Sequence, residues 1–66
     1  MKLNLEPNLV DPDGFYDRLL GTHDGLTKQD SDALNARLIL ILANHIGDTD
    51  VLDEALEVAK DAVRKP

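Results

Sequence analysis

Between Ala33 and Ile46 the chain is apolar in almost every direction. At about 100° per residue, Ala33, Leu34, Ala36, Leu38, Ile39, Leu40, Leu42, Ala43 and Ile46 occupy most of a helix circumference. Only Asn35 on one side, and Arg37 with Asn44 on another, interrupt them. A helix apolar nearly all round is a buried helix. The chain has 66 residues in all, which leaves two short neighbouring helices and an N-terminal arm to do the burying. They can hardly wrap it completely.

Size sharpens the problem. A folded protein of 7.3 kDa exposes about 4,200 Å² of the roughly 10,600 Å² its unfolded chain exposes, so about 60% is buried. Burial on that scale contributes about 95 kcal/mol at ~25 cal/mol/Å², and ordering the chain costs about 100 kcal/mol. The two cancel. There is no cysteine, hence no disulfide to tip the balance, and a metal or a second subunit is expected to do so. A two-fold homodimer through the central helix is the preferred solution. The candidate face is Ala33, Ala36, Leu40 and Ala43, where small side chains permit close backbone approach. The same alanines could instead seat the third helix within one chain.

Punctuation divides the rest. Residues 1–10 hold scattered leucines around Pro7 and, with no second strand to pair with, read as an extended arm. Asp11 before Pro12 is a helix start, with a capping carboxylate and a proline where no N–H bond is needed. Helix 1 is expected over 11–23. Thr27 with Asp30 makes a variant capping box, and helix 2 is expected over 27–46, ending at Gly47 as a left-handed cap. Helix 3 is expected over 48–64, with acids early and Arg64 late to match the helix dipole. Its apolar side carries Val51, Leu52, Ala55, Leu56, Val58, Ala59, Ala62 and Val63; Asp53, Glu54, Glu57, Lys60, Asp61 and Arg64 take the other. The predicted fold is all-α: one small domain over 1–66, with an extended arm, a short first helix and an antiparallel hairpin of helices 2 and 3.

Charge excludes some partners. Thirteen acidic residues against seven basic ones, net −6, argue against nucleic acid, which wants a cationic face, and against an anionic membrane surface. The longest apolar run, Leu38 to Ala43, is too short to span a bilayer. The N-terminus lacks the apolar core of a signal peptide. A cytoplasmic protein is expected.

Four polar side chains are candidate ligand-binding residues: His23, Arg37, Asn44 and His45. Arg37 and Asn44, seven residues apart, share a side of helix 2 and could hold a carboxylate or a partner's backbone. Arg37 could equally pair with Asp30 or Asp48, and Asn44 could bond a loop carbonyl. Each histidine could ligate a metal with Asp24 or Asp48, but each also stands just before a helix end whose carbonyls an imidazole can bond. A lone His–Asp pair is no zinc signature, and Asp11-Pro12-Asp13-Gly14 lacks the later ligands of a calcium loop. Asp48, Asp50, Asp53, Glu54 and Glu57 read as a solvated helix start. There is no nucleophile beside a base, no phosphate-cradling glycine loop and no dinucleotide fingerprint. Helices this short leave little room for a ligand pocket of about 300 Å³. No cofactor, metal site or catalytic residue is expected.

Two long motifs remain: Leu3-Asn4-Leu5-Glu6-Pro7-Asn8-Leu9 leading into Asp11-Pro12-Asp13-Gly14-Phe15-Tyr16, and Leu34-Asn35-Ala36-Arg37-Leu38 through Leu42-Ala43-Asn44-His45-Ile46-Gly47-Asp48. With His23, they make the chain resemble a small bacterial family of uncharacterised proteins. The resemblance implies encoding beside flavin-dependent oxygenases of aromatic breakdown, and carries no catalytic residues. The functional expectation is a non-catalytic, self-associating accessory or regulatory subunit. The alternatives are a component attached to an oxygenase system, and a small-molecule or metal binder at a subunit interface.

Overall fold

The computed structural model describes residues 2–65; Met1 of the expected arm lies outside them. Three helices follow an irregular N-terminal segment: α1 (Pro12–His23), α2 (Lys28–Ile46) and α3 (Thr49–Arg64). Among the described residues there is no strand. The chain is all-helical.

Each helix begins on a side chain that answers its free N–H groups. The Asp11 carboxylate accepts from the Gly14 N–H at 3.0 Å, with Pro12 next in line. The Thr27 hydroxyl accepts from the Asp30 N–H at 3.1 Å. No bond returns from the Asp30 side chain among the described residues, so the expected capping box is formed on one side only. The Asp48 carboxylate accepts from the Asp50 and Val51 N–H groups at 3.0 and 3.3 Å. Helix α2 stops at Gly47, whose N–H still reaches the Ala43 carbonyl at 2.9 Å while its φ of 69° turns the chain out of the helix. A side chain resists that backbone conformation. Gly47 and Asp48 are all that separate α2 from α3.

What these elements do not do is make a core. None of the described residues is buried. The best-covered apolar side chains of the helices are half-buried: Leu19 on α1, Leu34, Leu38 and Ala43 on α2, Val51, Leu52 and Ala55 on α3. No pair of helices packs along its length. The radius of gyration is 13.6 Å, where a compact chain of this length has about 11 Å. The accessible surface is 5,978 Å², about 1,800 Å² more than a compact protein of this mass exposes. The shortfall expected from the sequence is visible as open space between helices.

Candidate functional site

The open space takes the form of two grooves, largely on opposite sides of α2 by helical phase. The first, about 520 Å³, lies between α2 and the end of α1. It is lined by Thr22, Leu26, Asp30, Ala33, Leu34, Arg37, Leu38 and Ile41. The second, about 430 Å³, lies between α2 and α3. Ile39, Leu42, Ala43 and Ile46 form one wall; Leu52, Ala55, Leu56 and Ala59 form the other. Both exceed the volume the sequence led us to expect, because splayed helices leave space that packed ones would fill.

Where the grooves flank it, the midsection of α2 is bare. Ile39, Leu40, Ile41 and Leu42 are 61, 69, 65 and 48% exposed. Consecutive residues on a helix point about 100° apart, so these four sample every direction around the axis. The midsection of α2 therefore lacks a full cover on any side. The apolar stripe of α3 is open too, most of all toward its end, where Leu56 is 65% and Val63 88% exposed.

The arm is fastened at its start to the first turns of α3. Glu54 Oε1 accepts from the Lys2 N–H and Oε2 from the Leu3 N–H, each at 3.1 Å. Lys2 Nζ pairs with Asp50 Oδ2 at 3.2 Å. The backbone N–H of Lys2, then that of Leu3, holds the Glu54 carboxyl below its ordinary pKa of 4.5, by favouring the charged form. Leu3 is half-buried there, whereas Leu5, Leu9 and Val10 stay exposed. Glu54 is thus more than part of a solvated helix start; it is the clasp for the arm.

A family described as "protein of unknown function (DUF2783)" matches residues 3–61. The chain belongs to the DUF2783 family. No curated protein and no solved structure matches it. The DUF2783 match runs from the Leu3 clasp into the C-terminal half of α3, and so takes in both walls of each groove and the arm between.

Within this DUF2783 chain the four candidate ligand-binding side chains are dispersed. His23 Nε2 meets Asn35 Oδ1 at 3.0 Å, tying the end of α1 to α2. The imidazole bonds a side chain, not the helix-end carbonyl the sequence suggested. Arg37 lines the first groove. Among the described residues Arg37 forms no ion pair, and Asn44 and His45 form no side-chain hydrogen bond. Nor do any three His, Asp or Glu side chains among them gather to hold a metal ion. None of the described helices is long and apolar enough to cross a membrane.

The candidate self-association residues are divided as well. Ala33 lines the first groove and Ala43 the second, while Ala36 and Leu40 lie exposed outside both. The sequence pattern placed Leu52, Ala55, Leu56 and Ala59 on the apolar side of helix 3. It did not foresee that they would line an open groove. It missed the Glu54 clasp outright, because a carboxylate on a polar helix face carries no local sign that a segment 52 residues away will bind it.

Proposed function

We propose that this chain is a small, non-catalytic interaction protein whose fold is completed by a second copy of itself, and that the assembled pair serves as an accessory or regulatory subunit. The observation that carries this reading is the bare midsection of α2, exposed on every side from Ile39 to Leu42. A leucine- and isoleucine-rich surface of that kind on a very small protein marks a partner surface. A symmetric mate is the commonest occupant. In the pair, α2 and α3 each gain from the second copy the cover they lack alone. Assembly would take place in the cytoplasm, and an oxygenase of aromatic breakdown is the larger partner that the sequence resemblance implies.

Analytical ultracentrifugation tests the first step. The expected mass is twice 7.3 kDa, with a melting temperature that falls by about 5 °C for each tenfold dilution, from mass action and the usual unfolding enthalpy per residue. A single-chain mass at millimolar concentration, with melting independent of dilution, overturns the reading.

One observation favours a second reading, a small-molecule site. Arg37 stands without an ion-pair partner among the described residues, in a groove otherwise lined mainly by apolar side chains. A guanidinium in such a place suits an apolar carboxylate, with Asn44, His45 and His23 as further polar groups on or near α2. Benzoate is a suitable probe: binding in calorimetry that is lost in Arg37→Ala supports this site, and the absence of heat at millimolar benzoate removes it.

A further inference from the structure

Which surface the second copy takes can be read from charge, area and the run of exposed side chains. Two chains of net charge −6 repel each other, so a self-complementary seat has to keep acidic groups out of contact. The groove between α2 and α3 meets that condition: no charged residue lines it. The groove on the other side of α2 carries Asp30 and Arg37. On α3 the acids Glu57 and Asp61 point well away from the mean direction of Leu56, Ala59 and Val63, while Asp53, three residues before Leu56, borders that stripe and so stands at the rim.

Area points the same way. Two separate copies expose twice 5,978 Å²; a compact body of their combined mass exposes about 6,900 Å². Closing the difference removes about 5,000 Å² from water, of which about 3,600 Å² is the excess surface of the two open chains. With α2 and α3 held apart, the second copy has to cover that excess too, which brings the seat into the range of an obligate homodimer interface. A small seat cannot supply it. The α2–α3 groove can supply a large share, because its own wall residues Ile39, Leu42 and Leu56 are 61, 48 and 65% exposed and Val63, one turn beyond Ala59 on α3, is 88% exposed.

We infer that the V formed by α2 and α3 receives the same V of a second copy, so that the Leu56–Ala59–Val63 stripe of each chain lies on Ile39, Leu42 and Ile46 of the other. The two chains then form a four-helix body, with the first groove and its arginine left outside. This inference rests on the self-association proposed above and adds its geometry.

Isotope-filtered NMR on an equal mixture of labelled and unlabelled wild-type chain tests it without any substitution. The expected result is intermolecular methyl contacts between Leu56, Ala59 or Val63 and Ile39, Leu42 or Ile46. Leu56→Asp should halve the sedimentation mass, and Leu40→Asp should leave it at two chains. A two-chain mass with intermolecular contacts confined to Ala33, Ala36 and Leu40 overturns this geometry and leaves self-association standing. A one-chain mass, or arm residues Leu5 and Leu9 filling the groove within a single copy, overturns both.

Discussion

Leu56→Ala separates the isolated chain from the assembled one by magnitude. In the isolated chain Leu56 is 65% exposed, so folding removes only about a third of its surface from water. Full burial of a leucine is worth about 1.5–3 kcal/mol, and truncating one that is one-third buried therefore costs about 0.5–1 kcal/mol. Helix propensity offsets little of this, since alanine and leucine lie close together on that scale. In the assembled form the same side chain is enclosed by Ile39 and Leu42 of the second copy. The loss then includes a cavity and reaches the ~2–5 kcal/mol of a core Leu→Ala change. Because each dimer contains the substitution twice, the loss per dimer is about double. Urea unfolding at two protein concentrations a hundredfold apart, followed by circular dichroism, measures both the loss and its coupling to association. A loss below about 1 kcal/mol per chain, equal at both concentrations, would refute the reasoning.

The other predictions concern the arm, the α2 end and the α1–α2 tie. The Glu54 carboxyl is held below its ordinary pKa in the folded chain, so its contribution is present above the unfolded value and is lost as pH falls through the folded one. Acidifying well below the ordinary value of 4.5 should accordingly free the Lys2 and Leu3 amides, seen as faster amide exchange at those residues, and Glu54→Ala should free them at every pH. Gly47→Ala, forcing a methyl onto a φ of 69°, should cost about 1 kcal/mol in chemical denaturation; no loss would mean that the cap relaxes freely. His23→Ala and Asn35→Ala should each cost about 0.5–1.5 kcal/mol. Their double-mutant cycle should show a coupling of similar size, and strictly additive losses would deny the 3.0 Å bond any energetic weight.

The helices were legible because their ends are written in single residues. Asp11, Thr27, Gly47 and Asp48 do their work within four positions of themselves, and the structure uses each of them as a cap. The unusual apolarity of α2 was legible too, and with it the shortage of cover. What local sequence could not give is how far apart the helices stand. That depends on whether packing partners reach them, and Leu40 or Ala36 reads the same in a helix that is wrapped as in one that is bare. The Glu54 clasp and the His23–Asn35 tie lie beyond the sequence for the same reason: each joins groups on separate segments, and neither has a spacing that announces it.

The arm's clasp also says something about time. Apart from the bonds of Lys2 and Leu3 to α3, every described hydrogen bond outside the helical ladders joins residues no more than 12 apart. Chains dominated by such local contacts fold fast, and helices of this length form within about a microsecond. Closing the arm onto Glu54 ties a loop of some fifty residues and gains little until α3 exists to receive it, so the clasp forms after the helices. On the self-association proposed above, two chains meeting at micromolar concentration would be slower than either event. The chain would therefore arrive at its encounter with helices made and arm fastened, and the rate at which it reaches its final state would rise in proportion to how much of it is present.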